Sequence, residues 1–189
     1  MDLTTMTAAC AATERIVAGI DPGDHGRPTP CTEWDVRALL NHVLGTLVMG
    51  RELLDDAPPS DPAMGPGGLP AADLAGDDPL EAYRKGVAGL LASAGGDALD
   101  RTHATPFGEM PGAVLVGFTT VDIAVHGWDL ARATGQDATL DPALADPVLV
   151  FARRTLGGDM RAPRIGPEVP VPADAPAIDR LVAFMGRTP

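Results

Sequence analysis

VDIAVHGWDLARATG, running from Val121 to Gly135, sets the apolar residues Val121, Ile123, Ala124, Val125 and Leu130 around a narrow polar line. Asp122 and His126 stand four residues apart, a spacing that on a helix places one side chain above the other on a single face. Asp129 follows within roughly 20° of the same line at about 100° per residue, and the small Ala133 comes next on it. A polar line on an otherwise apolar helix needs a partner or a purpose. The expected arrangement is a helix from Gly112 to Thr134, stopped by Gly135, whose polar stripe faces a cavity in a helical bundle and holds a metal.

Upstream, Leu3, Met6, Cys10, Val17 and Ile20 recur at helical spacing and end before Asp21-Pro22-Gly23. After the loop HGRPTPC (residues 25–31), Thr32 is placed to cap a second helix, with Asp35 answering as in a capping box and Cys31 and Val36 forming a hydrophobic staple. Val36, Leu39, Leu40, Val43 and Leu47 make that helix's apolar face. His42 lies off its centre, among Ala38, Gly45, Thr46 and Met49, which leaves space before the imidazole. Residues 57–80 hold too many Pro, Gly and Asp for a continuous element, and read as a lid over the open end of a bundle or as a surface loop.

A third helix is expected from Leu80 to Ser93, then an extended segment or hairpin over RTHATPFGEMPG (residues 101–112), in which His103 reads as a solvated loop histidine. Asp141-Pro142 opens a fifth helix. Five prolines between Arg161 and Pro176 forbid regular structure before a last short helix, Ala177 to Met185. There is no internal repeat and no strand long enough to anchor a sheet.

The chain has 189 residues, 45% of them apolar, enough to close one core, so a single domain over 1–189 is expected. With 14 basic and 26 acidic residues the formal charge is −12, which repels a phosphate backbone and an anionic membrane face. The opening MDLTTMTAAC has neither a basic start nor a long apolar run, and no window approaches a membrane span. A cytoplasmic protein without nucleic-acid or membrane partners is the expectation. Cys10 and Cys31 are too few for a disulfide framework. Cys10, in an apolar stripe, reads as an inert buried thiol; Cys31, near a helix start, is open to an activated-nucleophile reading with His25.

Three blocks, TPCTEWDVRALLNHVLG (Thr29 to Gly45), TTVDIAVHGWDLARATGQ (Thr119 to Gln136) and IGPEVPVPADAPAIDRLVAFMGR (Ile165 to Arg187), resemble in order and spacing the actinobacterial branch of the DinB/YfiT-like family. That branch is similar to the metal-binding domain of mycothiol-dependent maleylpyruvate isomerase. The resemblance implies an all-α DinB-like four-helix bundle with extra short helices and long Pro/Gly-rich loops (57–79 and 161–176). Carried over by position, it implies His42, Asp122 and His126 as metal ligands; Asp129, one turn beyond His126, is placed to orient a ligand or a bound water. The implied cofactor is a divalent ion, zinc first, with nickel, manganese or iron as alternatives. Family members of known activity work through mycothiol, bacillithiol or glutathione, so the implied function is thiol transfer to, or isomerisation of, a small electrophile.

That isomerase carries Glu where this chain has Asp122, one methylene shorter. It also has a further C-terminal domain for which 189 residues leave no room, so maleylpyruvate itself is not the expected substrate. Two other functions stay open: a helical module that binds a small molecule without turnover, and a metal-dependent hydrolase with water in place of the thiol. Arg37, Arg51 and Arg132 are candidates to hold a substrate or cofactor carboxylate. DinB-like bundles often pair into homodimers, although no dimer face is legible in the sequence.

Overall fold

The computed structural model describes residues 1–61, 68–106, 108–158, 161 and 165–189. Helix α1 (Leu3–Ala18) starts at Asp2, whose side chain accepts from the Thr5 amide. Helix α2 (Val36–Leu54) starts at Asp35, which accepts from the Ala38 amide at 2.8 Å. The cap is therefore Asp35 and not Thr32, and the expected capping box and Cys31–Val36 staple do not form. The reason lies in the loop: Thr29 Oγ1 accepts from the Cys31 amide at 3.1 Å and donates to the Trp34 carbonyl at 2.8 Å. A turn from Cys31 to Trp34 follows, and Thr32 falls inside it.

Helix α3 (Pro79–Ser93) is capped by Asp78 and opens with Pro79, whose missing amide would have been unpaired in any case. Strands β1 (Thr102–Thr105) and β2 (Gly108–Pro111) pair antiparallel, with Thr102 opposite Pro111 and Thr105 opposite Gly108, so the expected extended segment is a hairpin. It delivers the chain into helix α4 (Gly112–Thr134), which ends at Gly135 in the left-handed conformation with φ 72°. Helices α5 (Pro142–Thr155) and α6 (Ala177–Phe184) complete the fold.

Helix α1 packs on α4 and α3, and α2 packs on the same two, so the four form a closed ring with α1 diagonal to α2. Helices α5 and α6 pack on each other and on α4. Met6, Leu39, Leu40, Leu47, Leu90, Ile123 and Leu130 are buried in the common core. Close helix approach is bought by glycine on α4: a Cβ at Gly127 would lie 2.3 Å from Thr13 Oγ1, and that hydroxyl instead donates to the Ile123 carbonyl at 3.1 Å. Helix α4 is long and apolar enough to cross a membrane, yet 78% of its most apolar window is buried among the other helices, as for a core helix.

Candidate metal centre

Helix α2 brings His42 and Thr46, one turn apart, opposite Asp122 and His126 of α4. His42 is 1% exposed and His126 8%. His42 Nε2 lies 3.2 Å from Asp122 Oδ1, and His126 Nε2 lies 3.8 Å from the same oxygen. Thr46 Oγ1 donates to it at 3.3 Å. Helical spacing pairs Asp122 with His126 on α4 alone; the fold brings His42 to them from across the bundle.

The remaining nitrogens of both rings are already engaged. His42 Nδ1 donates to the Gly68 carbonyl at 2.7 Å. His126 Nδ1 donates to Asp129 Oδ2 at 2.9 Å, because a carboxylate can only accept. Both Nε2 atoms are thereby left to converge on Asp122. The two rings meet edge to face with centroids 4.9 Å apart, and the Trp34 ring covers them at 4.5 Å from His42 and 6.1 Å from His126.

Charge in this cluster is tuned by burial and by partners. Burial opposes ionisation of Asp122, but the two imidazoles and the Thr46 hydroxyl outweigh it and hold the carboxyl below its usual range. Burial likewise opposes the charged form of His42, and Asp122 together with the Gly68 carbonyl outweighs it, raising the imidazole above its ordinary value. The donor set suits a divalent ion: two imidazole nitrogens and one carboxylate oxygen lie within 4.8 Å of one another, and atoms sharing a zinc-sized ion stand about 3.3 Å apart. Gly68 and Asp129 supply the outer hydrogen bonds that orient such ligands.

Other expected residues fall into place differently. Cys31 lies beside His126 and Asp129, its sulfur within 4.8 Å of their ligand atoms. Burial pushes its thiol up to about 11, against the pull of Arg187's charge, so it is no ready thiolate. His25 caps the short turn Pro22–Asp24 and, among the described residues, joins neither group that could hold a metal. Cys10 is buried and its thiol raised to about 12, in keeping with an inert packing residue. His103 is not solvated: it is 1% exposed, with Nε2 donating to the Ala98 carbonyl at 2.8 Å and Nδ1 facing Asp56 Oδ1 at 3.1 Å.

Of the loop 57–79, residues 62–67 lie outside the described residues, as do 107 and 162–164 of the other expected irregular segments. The described part is fastened over α2. Asn41 Oδ1 accepts from the amides of Leu74 and Ala75 at 2.6 and 3.1 Å, and Arg37 binds Asp73 and the Gly76 carbonyl. Arg37 is thus committed to the loop, Arg51 pairs with Glu52 and Arg132 stacks on Trp128. A cavity of about 260 Å³ opens on the opposite face of α4, lined by Thr13, Ile16, Trp128, Gln136 and Leu140. It contains none of the converging groups, so donor chemistry and not cavity size identifies the site.

Reasoning from spacing missed Trp34 as the cover of the two rings, Thr46 as a donor to Asp122, and Arg187. Arg187 holds Asp129 by two hydrogen bonds, Nε to Oδ1 at 3.2 Å and Nη2 to Oδ2 at 2.8 Å. A tryptophan eight residues before a histidine carries no periodic signal, and Arg187 is 58 residues from its partner.

Residues 6–131 match the family described as the mycothiol maleylpyruvate isomerase N-terminal domain. Two uncharacterized proteins of Mycobacterium tuberculosis, one from each of two strains, are each 38% identical to this chain over 177 residues, covering 92% of it and 90% of their own length. No solved structure matches the chain.

Proposed function

This chain belongs to the mycothiol maleylpyruvate isomerase N-terminal domain family, and on that premise we propose that it is a divalent-metal-dependent enzyme acting through a low-molecular-weight thiol of the mycothiol kind on a small electrophile. His42, Asp122 and His126 would hold the ion, zinc first among the candidates. When bound there, a divalent ion stabilises a thiol as its thiolate near neutral pH.

The observation that carries this reading is the convergence of both Nε2 atoms on Asp122 Oδ1 while both Nδ1 atoms are spent on Gly68 and Asp129. A histidine kept only for packing has no need of a second histidine and a carboxylate at its free nitrogen. The chain's own residues have separable tasks. Thr46 fixes the rotation of the Asp122 carboxylate, Asp129 fixes the His126 ring, and Trp34 shields both imidazoles from solvent on one side. Three protein ligands leave coordination positions for a thiol or substrate.

The test is the metal content of untagged protein by elemental mass spectrometry, beside His42→Ala and His126→Ala prepared alike. A near-stoichiometric ion in the parent, absent from both variants, supports the site. Thiol consumption with a panel of electrophiles, with and without mycothiol, then separates the thiol reading from hydrolysis. Parent protein that takes up no zinc, nickel, manganese or iron after reloading sinks the proposal.

A further inference from the structure

Arg187 is the third residue from the end of the chain and lies 56 residues past the last one matched by the family. Helix α6 ends in a Schellman turn: the Gly186 amide donates to the Ala183 carbonyl at 3.0 Å and the Arg187 amide to the Val182 carbonyl at 2.9 Å. Gly186 sits at φ 85°, and a Cβ there would lie 2.9 Å from the Gly166 Cα. Only glycine meets both demands, and the turn it makes sends the Arg187 side chain back toward α4.

There the guanidinium engages both oxygens of Asp129 as a fork, while Nη1 donates to the Met185 carbonyl at 2.8 Å. Asp129 is 0% exposed and the Arg187 side chain 11%. A carboxylate taken so far from water needs a paired cation and fixed donors. With two of its acceptor positions held by Arg187, the group can present Oδ2 to His126 Nδ1 in one orientation only. His126 in turn has its Nε2 turned toward Asp122.

We propose that Arg187 is a positioning residue of the metal centre: its fork on Asp129 sets the ring orientation and the Nδ1–H tautomer of His126, so the C-terminal tail is a working part of the site. The inference rests on the metal reading for its consequence, but its geometric content concerns only Arg187, Asp129 and His126. A purely structural tie between α6 and α4 would leave the imidazole indifferent to the loss of the guanidinium.

The experiment uses full-length protein with Arg187→Ala and Arg187→Lys, and two readouts. In metal-free protein at mildly alkaline pH, nitrogen-15 spectra of the imidazoles report the His126 tautomer. The parent should show Nδ1–H alone, Arg187→Ala a mixture of both tautomers, and Arg187→Lys an intermediate state, because an ammonium supplies the charge without the fork. Zinc affinity, measured by competition with a chromophoric chelator, should fall roughly 10–100-fold in Arg187→Ala and less in Arg187→Lys. An unchanged tautomer in whichever variant folds, or zinc binding within twofold of the parent, overturns the inference. Because the tautomer is read without metal, a parent that binds no zinc defeats the metal proposal alone.

Discussion

Among the described residues, two arginine–aspartate–histidine chains are built from the same residue types and to opposite ends. In one, Arg101 binds Asp56 at 3.0 Å and Asp56 meets His103 Nδ1 at 3.1 Å; in the other, Arg187 binds Asp129 at 2.8 Å and Asp129 meets His126 Nδ1 at 2.9 Å. The difference lies at the far nitrogen. His103 Nε2 is closed off by the Ala98 carbonyl at 2.8 Å, whereas His126 Nε2 faces Asp122 Oδ1, on which the Nε2 of His42 also converges. Burial differs as well: the Asp56 side chain is 45% exposed and the Asp129 side chain not at all. The first chain bolts the β1–β2 hairpin to the end of α2, where Asp56 takes a left-handed φ of 51°. The second turns the free nitrogen of an imidazole toward Asp122, within the group of residues proposed to hold a metal. Residue type does not separate a brace from the proposed binding centre; the partner left over for the last nitrogen does.

The sharpest way to break this comparison is to delete the histidines one at a time. His42→Ala or His126→Ala should abolish the proposed metal binding, since each removes one of the three proposed ligands, while both variants stay folded. His103→Ala should do the reverse. It leaves the Ala98 carbonyl without its donor and a gap in the interior, a cost of about 2–3 kcal/mol, yet metal content should match the parent. Elemental mass spectrometry and denaturant unfolding on the three variants check both halves. Metal lost from His103→Ala, in protein that is still folded, would erase the distinction.

The next largest effect is expected at the aspartates. Asp129→Asn removes the charge that pairs with Arg187, and its amide can turn a donor toward His126 Nδ1, so zinc affinity should fall roughly 10–100-fold. Asp56→Asn keeps a residue type that tolerates the left-handed backbone and should leave zinc affinity unchanged, with stability lowered by about 1 kcal/mol or less. Chelator competition and urea titration on the pair measure the contrast.

Most of this architecture is legible in the sequence because helices announce themselves by period. The end of α4 and the start of α5 follow from Gly135 and from Asp141-Pro142, and the stripe of Asp122, His126 and Asp129 follows from helical spacing. What was illegible depends on contacts between distant segments. The Arg187–Asp129 pair is set by a glycine turn whose effect is directional and not periodic. His103 reads as a solvated loop residue because its partners come from the end of α2 and from the chain before β1, which local composition does not connect. Thr32 looks like a cap until Thr29 is seen to organise the turn containing it. The match of His42 to Asp122 spans 80 residues, and spacing alone would not have joined them without the family resemblance.

The smallest expected effect is at the two arginines' weaker member. Arg101 is 47% exposed, and its pair with a half-exposed Asp56 is screened by water and salt, so Arg101→Ala should change stability by no more than ~0.5 kcal/mol. For a chain of this length that is a shift of about 1–2 °C in Tm, which differential scanning calorimetry resolves. Arg187 is the opposite case, because its partner is fully buried and has no water to fall back on. If Arg101→Ala instead destabilised the protein by several kcal/mol, exposure would be a poor guide to what these chains do. The asymmetry would then have to come from the strained Asp56 backbone, which the arginine would be holding in place.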